Sequence, residues 1–512
     1  MTERRSILLI HPPVAKPCEP PAGLALLAGT LRAAGVRCRV YDASLDGILG
    51  LLQGPWDAAD TWSRRALKHR AAHLAALRSP DLYRQRDRYK RAVMDINRVL
   101  SLAGRPSEVA ISLANFEAQR LSPLRSGDLV RAAETFKDNP FYPIFAAKLG
   151  ILLEEEEPTI VGLSINFMSQ ALCALAIIGW VRARLPKVKI VCGGGLVTSW
   201  MHIPGFHNPF LGLVDELVAG PGEAALLAMA GAAPPDAASG SGYDFTSFPW
   251  EDYLAPRRVL PYSTSRGCYW RKCAFCPEKA EKTRYQPMAP PAVAADLKIL
   301  TEAPFPPLIH FLDNALAPRL MAHLIDHPPG APWYGFARIM PHLADPAFVR
   351  GLRASGCVML KLGVESGDQA VLDALGKGVD LAIVSAALRT IKQAGIATYV
   401  YLLFGTPAET AAAARRTLAF TLDQAEAIDF LNLAVFNLPA YSEEAAGLKT
   451  MPFYDGDLTL YREFVHPRGW SRDAVRRFLA KEFKKPAPIR AILNNDPPFF
   501  TSNHAAFLRM AS

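Results

Sequence analysis

VLPYSTSRGCYWRKCAFC, residues 259–276, is a short apolar run that opens directly into three cysteines. Residues 259–265 read as a buried strand. Cys268, Cys273 and Cys276 then fall on one turn. Three thiols crowded into nine residues form a ligand arrangement. It fits a [4Fe–4S] cluster, which cysteine thiolates hold. With only three cysteines, one iron is left open to bind a small molecule and pass it an electron. The competing readings are a zinc site or idle core thiols. Structural zinc takes four ligands, usually as two spaced pairs, and the only cysteine downstream is the solitary Cys357.

Downstream, five more strand-like runs follow at 308–313, 333–339, 358–365, 398–405 and 430–438, separated by helical stretches. With 259–265 they make six strands in alternation, which suits a partial or closed parallel barrel. The cysteines follow the first strand at its carboxyl end, where ligands of such folds bind. Upstream, SILLIH (6–11), the helical PPAGLALLAGTLRAAG and the alternating VRCRVYDA give β-α-β order. The order resumes with TIVGLSI (159–165), a helix over about 169–184, KIVCGGG and ELVAG. This series predicts a doubly wound parallel sheet. Between about 52 and 150 the alternation stops, and the composition predicts a mainly helical insertion. Residues 231–244 are rich in Pro, Gly and Ser, which is linker composition. The expected division is a first domain over 1–235, a linker over 236–254, a barrel over 255–440 and an irregular extension over 441–512. In that extension, NNDPPFFTSNHAAF is read as packing on the bottom of the barrel rather than capping the site.

Half of the 512 residues are hydrophobic and 21% are charged, which is ordinary globular composition. Much of the net charge of +9 is local, since residues 56–150 hold 17 Lys and Arg against 10 Asp and Glu. Solvated helix faces explain this better than a nucleic-acid site, because no nucleic-acid motif accompanies it. No apolar stretch reaches the ~18 residues of a membrane helix. Pro12 and Pro13 cut short the apolar run at the start, so it reads as a strand rather than a signal peptide. The eight cysteines lack a spaced disulfide framework, which places the chain in the reducing cytoplasm.

TSRGCYWRKCAFC, GVESG after the fourth strand and YLLFGTPAET at the fifth resemble the radical S-adenosylmethionine (SAM) superfamily over roughly 255–440. The family's spacing is C-x3-C-x2-C; here the first gap is four residues. The resemblance implies that Cys268, Cys273 and Cys276 hold three irons, while SAM chelates the fourth. Cleavage of a C–S bond then gives a 5′-deoxyadenosyl radical. It also implies Phe275 near the adenine, Glu365 and Ser366 facing the ribose and amino-acid part, and Asp313 and Asn314 near the amino group.

The first β/α series resembles the cobalamin-binding (B12-binding, Rossmann-like) domain often found ahead of such barrels. The matching segments are IHPP with PPAGLALLAGTLRAAG, GLSINFMSQ, CGGGLVTS and AGPGEAALL. Gly193, Gly194 and Gly195 would let backbone approach a large flat ligand. Ser164, Asn166 and Thr198 would meet its polar rim, and Gly220, Gly222 and Glu223 would form the last loop. The Asp-x-His-x-x-Gly motif that supplies an axial histidine in many cobalamin domains does not occur here. His11 reads as a hydrogen-bonding loop residue.

Together these resemblances imply a cobalamin-dependent radical SAM enzyme that methylates an unactivated carbon. Its cofactors would be the cluster, SAM and cobalamin. Its partners would be a small-molecule or peptide substrate and an electron donor such as ferredoxin or flavodoxin. The alternatives are a radical rearrangement, cyclisation, epimerisation or sulfur insertion without methyl transfer, and a non-catalytic metal-sensing or RNA-binding protein. Tyr401, Asn432 and Asn437 are candidates to line the cavity.

Overall fold

The apolar run at the start forms a strand buried at every position, β1 (Ser6–His11). Such a continuous run belongs to a parallel strand covered on both faces. Around it lie β2 (Arg37–Asp42), β3 (Ile160–Ser164), β4 (Lys189–Gly193) and the two-residue β5 (Glu216–Leu217). All pair in parallel, in the order β2-β1-β3-β4-β5. The helix Ala22–Ala33 joins β1 to β2 and stops at Gly35, whose φ of +74° is the left-handed end that glycine tolerates. This order reverses direction between β1 and β3, which makes the crevice at their carboxyl ends the ligand position of a doubly wound sheet. The computed structural model describes residues 5–235, 242–302, 305–497 and 504–508. Residues 236–241 of the expected linker and 498–503 of the tail segment lie outside these.

The chain divides into two compact units. The first holds residues 1–259 with 454–460 and 497–502, and the second holds the remainder. Within the first, the insertion is helical as expected, with helices Thr61–Leu77, Arg86–Gly104, Ser126–Glu134 and Tyr142–Glu156 among its elements. It also contains a hairpin that its composition did not announce, Val109–Ile111 against Phe116–Ala118. Asp95 organises the first helix pair. This carboxylate is 1% exposed and accepts from Trp62 Nε1 and Arg65, each at 2.8 Å, and meets His73 Nε2 at 3.2 Å. Burial works against its charge, yet the bonds from Arg65, Trp62 and His73 outweigh it and hold the carboxyl below the ordinary aspartate value.

The second unit is built on six strands: β6 (Val259–Tyr262), β7 (Leu308–Phe311), β8 (Trp333–Ala337), β9 (Cys357–Glu365), β10 (Ala397–Phe404) and β11 (Phe430–Val435). They lie side by side in chain order, and the pairings from β7 through β11 are parallel. The first and last strands are not neighbours, so this is an open, partial (β/α)6 barrel. Val358, Leu360, Leu362 and Val364 form one buried face of β9. The opposite face runs Met359, Lys361, Gly363, Glu365, buried at its start and half-exposed at its carboxyl end.

The extension adds a small antiparallel sheet of Leu438–Pro439, Tyr461–Phe464 and Thr450–Pro452. The described part of the tail packs at the amino-terminal ends of the barrel strands. His504 lies 4.2 Å from Tyr399 and 4.7 Å from Phe430 between ring centroids, and Ala505 joins their core. At the other end, the exit loop of β10 buries Glu409 completely. Its Oε2 accepts from Gly405 N at 2.5 Å and Trp470 Nε1 at 2.8 Å, while Oε1 has no partner among the described residues. Burial pushes its carboxyl up to about 7.

Two outcomes follow from these buried carboxylates. Asp95→Ala should cost about 2–4 kcal/mol, read by urea titration through tryptophan fluorescence. The wild-type contribution is complete above the ordinary aspartate range and disappears as pH falls through the depressed value. Glu409 has the opposite sign. The folded chain holds its proton more tightly than the unfolded chain, so stability is full below pH 4.5 and declines as pH rises through about 7. Glu409→Gln should flatten that decline, on the order of 1–3 kcal/mol, in melting curves taken across this range.

Candidate active site

The cysteine loop begins where β6 ends, and Asp313 fixes its start. Thr264 N at 3.0 Å, Thr264 Oγ1 at 2.7 Å and Ser265 Oγ at 2.5 Å all donate to the Asp313 carboxylate, which is 2% exposed. Asp313 is thus occupied in bracing the loop rather than presented to a ligand, and exposed Asn314 is the outward member of that pair. Gly267 follows at φ +70°, with a would-be Cβ only 2.8 Å from Arg284 O. The extra residue between Cys268 and Cys273 is absorbed by a left-handed turn at Arg271 (φ +52°), with Arg271 and Lys272 exposed.

Cys268, Cys273 and Cys276 are half-exposed, whereas Cys18, Cys38, Cys173, Cys192 and Cys357 are buried. Burial raises the Cys273 thiol, as does the neighbouring Cys276, and the cations Lys377 and Arg338 oppose this. Burial also raises Cys276, against backbone N–H groups of Lys279 and Glu278. Among the described residues no three His, Cys, Asp or Glu side chains converge as a ready-made ion cage. The donor chemistry nonetheless fits an iron–sulfur cluster: three reachable thiols on one loop, with cations and N–H groups that favour thiolate.

What holds this loop is the turn after β9. Ala274 N donates to Leu375 O at 2.9 Å, and Trp270 Nε1 donates to Gly376 O at 3.0 Å. Gly376 and Gly378 both take left-handed φ, and a Cβ on Gly378 would stand 2.3 Å from the Trp270 ring. Between them, Lys377 reaches Glu365 Oε1 at 2.8 Å, with side-chain exposures of 9% and 12%, and lies 5.7 Å from the Phe275 ring. Arg338 lies over the Trp270 ring, 3.7 Å from its centroid, and donates to the carbonyls of Lys377 and Gly378. Glu365 sits at a register shift with φ +67°, a conformation that non-glycine residues rarely hold. Gly363 makes room for the pair, since a Cβ there would lie 2.5 Å from Glu365 Oε1 and 2.9 Å from Lys377 Nζ. Ser366 is turned inward, 1% exposed, bonded to Thr417 Oγ1 and accepting from Asp368 N. It shapes the strand exit and does not face outward with Glu365. Lys377, Arg338, Trp270 and Gly363 were not singled out in the sequence; the spaced glycines of Leu-Gly-Lys-Gly were the available signal.

In the first unit the loops at the carboxyl edge are tied to one another. Asn166 Nδ2 donates to Ser164 Oγ at 3.1 Å and Gly195 N to Asn166 Oδ1 at 3.0 Å. Thr198 Oγ1 donates to Gly194 O and accepts from Gly220 N, each at 2.9 Å. Gly194 serves this packing, because a Cβ would meet Ile165 O at 2.6 Å. Gly193 and Gly195 have looser surroundings, and Gly222 caps the helix that Glu223 begins. The crevice between β1 and β3 is bordered by exposed Phe167 and by Gln170, which donates to Pro12 O at 2.7 Å and contacts the His11 ring. His11 is buried, and burial lowers its pKa despite Asp42. A wide edge of backbone, small polar groups and one exposed ring fits a large flat ligand such as cobalamin.

Gly378→Ala should loosen the cysteine loop and lower the iron retained per chain after anaerobic reconstitution, measured as iron and sulfide content. Gly23→Ala, with nothing within 4 Å of the added Cβ, should leave it unchanged.

No protein-family model matches the chain, and no curated protein matches it in sequence. Among solved structures it is similar to TsrM from Kitasatospora setae, a radical S-adenosylmethionine methyltransferase. With the form holding tryptophan substrate and a SAM analogue, the TM-score is 0.56 at 16% identity, covering 96% of this chain and 90% of that one. With the form holding cobalamin and a [4Fe-4S] cluster, it is 0.53 at 16% identity, covering 88% and 81%. OxsB, a cobalamin-dependent S-adenosylmethionine radical enzyme with aqua-cobalamin and SAM bound, gives 0.50 at 14% identity, covering 96% of this chain and 58% of OxsB. The chain therefore has the fold of cobalamin-dependent radical SAM enzymes, a doubly wound domain followed by a partial barrel with a three-cysteine loop at its first strand exit.

Proposed function

We propose that this chain is a cobalamin-dependent radical SAM methyltransferase acting on an unactivated carbon of a small-molecule substrate. The observation that carries this reading is the half-exposed loop of Cys268, Cys273 and Cys276, docked at the carboxyl end of the six-stranded sheet. The fold shared with TsrM, a methyltransferase with a tryptophan-bound form, supports both the reaction class and the substrate class. When bound, the cluster, SAM and cobalamin supply reductive C–S cleavage, hydrogen-atom abstraction and methyl carriage.

The protein's own part is positioning. The three cysteines would hold the cluster, leaving one iron for SAM. Phe275 and the Lys377–Glu365 pair border the place where SAM would lie, with a half-buried apolar ring and a fixed pair of charges. Their low exposure keeps water out and strengthens each electrostatic contact. Arg338 locks Trp270, so the loop keeps its geometry whether the thiols are charged or loaded. In the first unit, the β1/β3 crevice with Phe167, Asn166 and Thr198 would cradle cobalamin. An electron donor such as ferredoxin or flavodoxin and a cytoplasmic setting belong to the same proposal. The chain contains no helix, among the described residues, long and apolar enough to cross a membrane.

The deciding experiment uses full-length protein purified without oxygen, reconstituted with iron and sulfide, and given cobalamin, SAM and a strong reductant. Formation of both 5′-deoxyadenosine and S-adenosylhomocysteine is expected. 5′-Deoxyadenosine alone would favour radical chemistry without methyl transfer. Cys273→Ala should abolish both products; persistence of either would overturn the cluster assignment.

A further inference from the structure

The helical insertion of the first unit holds a cleft of about 610 Å³ that the proposed chemistry does not use. Clefts of ~300–1,000 Å³ are the usual size of small-molecule sites. One wall is the hairpin of Val109–Ile111 and Phe116–Ala118. The other is the carboxyl end of the helix Ser126–Glu134, with the single turn Phe136–Asp138 that follows it.

Both walls are fixed by close backbone approaches. A Cβ on Gly104 would stand 2.3 Å from Val109 O, so the helix Arg86–Gly104 meets the hairpin directly. A Cβ on Gly179 would stand 1.9 Å from Ala133 O, so the helix Ser126–Glu134 lies against the helix Met168–Arg184. Phe116 is held by Phe141, with ring centroids 6.2 Å apart. The cleft is therefore preformed, and a ligand entering it loses little to reorganisation.

Its floor is apolar, made by the buried side chains of Phe116, Ala132 and Leu172. Its rim is charged. Arg120 is already satisfied, because its Nε and Nη2 reach the Glu108 carboxylate at 2.6 and 3.0 Å. Arg131 and Lys137 are exposed and have no hydrogen-bond or ion-pair partner among the described residues. Asp138, also exposed on the rim, is the one acid there without such a partner among the described residues. Two free cations thus stand against one free anion. The excess has the sign of the whole segment, since residues 56–150 hold 17 Lys and Arg against 10 Asp and Glu. Such a surplus draws anions toward the cleft. Beside an apolar floor that displaces water, each cation attracts an anion more strongly than on an open surface.

We propose that this cleft is a separate ligand site and that it takes a small amphipathic anion. The class that fits has an apolar ring or chain lying on the floor and a single anionic headgroup turned to Arg131 and Lys137. Neither the cysteine loop nor the edge of the doubly wound sheet takes part.

The test uses full-length, reconstituted protein with anilinonaphthalene sulfonate as the probe, an apolar ring system bearing one sulfonate. Hydrogen exchange is read by mass spectrometry as the probe is titrated. Protection of peptides covering the hairpin and the Arg131–Asn139 wall is expected, and its midpoint gives the affinity. Phenylnaphthylamine, the same rings without the sulfonate, should need about tenfold more, the scale of one charge-assisted hydrogen bond. Arg131→Gln combined with Lys137→Gln should raise the sulfonate's midpoint by about the same factor. Arg88→Gln, which removes an exposed cation of the same insertion outside the cleft, should leave it in place. Protection confined to other segments, or none, overturns the proposal. So do equal midpoints for the two probes, or a folded double variant with an unchanged midpoint. Circular dichroism reports folding, and the two-probe comparison on wild type decides if the double variant does not fold. The proposed function fails separately, if wild type given reductant and SAM forms no 5′-deoxyadenosine.

Discussion

The candidate site rests on one cluster of contacts: the indole of Trp270 held against the Gly376–Gly378 turn and the Arg338 guanidinium, which is itself bonded to that turn. The cysteine loop has little regular structure of its own and cannot hold a fixed shape by local hydrogen bonding alone. Its thiols gain a defined position because an aromatic anchor within the loop meets the turn that ends the helix Gln369–Ala374. The same turn carries Lys377 to Glu365. One small segment thus sets both the metal-ligand loop and the charge pair beside it. A buried ion pair of this kind adds little net stability, but it gives both side chains a single orientation.

Glycine has two roles here, and they are distinguished by contacts. At Gly194, Gly267, Gly363 and Gly378 a Cβ would collide with backbone or side chains of a neighbouring loop. These glycines are required for protein to approach protein. At Gly195 and Gly220 the surroundings are open, and an added Cβ would meet nothing closer than 3.8 Å. The glycines at 193–195, where β4 ends, therefore divide between one tightly packed position and two looser ones.

The elements were largely legible in the sequence. Every strand of the barrel falls within a residue or two of its apolar run at the amino end, because a parallel strand covered on both faces must be apolar throughout. The exits are shorter than the runs suggested: 333–339 ends as a strand at Ala337, and 430–438 at Val435. After Ala337 the buried Ile339 lies in a loop, and after Val435 Phe436 packs on Phe464 of the extension. The hairpin at Val109–Ile111 was hidden because three-residue strands carry too little periodicity to register.

In the site, residue type and spacing alone singled out Cys268, Cys273 and Cys276 as candidate ligands, and these three are half-exposed while the other five cysteines are buried. They also marked Glu365 as a strand-end carboxylate, and its inward partners were beyond reach. Asp313 looked equally available, and only the fold shows its oxygens bonded to Thr264 and Ser265. Lys361 reads as an ordinary strand residue until register sets it beside Phe336 and Tyr399. The sequence by itself determined the strands, their order and the gathering of three cysteines on one loop, because these follow from local composition and spacing. Tertiary structure decided which polar groups stay open at the strand ends and which face one another, because hydrogen bonds and ion pairs between residues far apart in the chain exist only once the strands are in register.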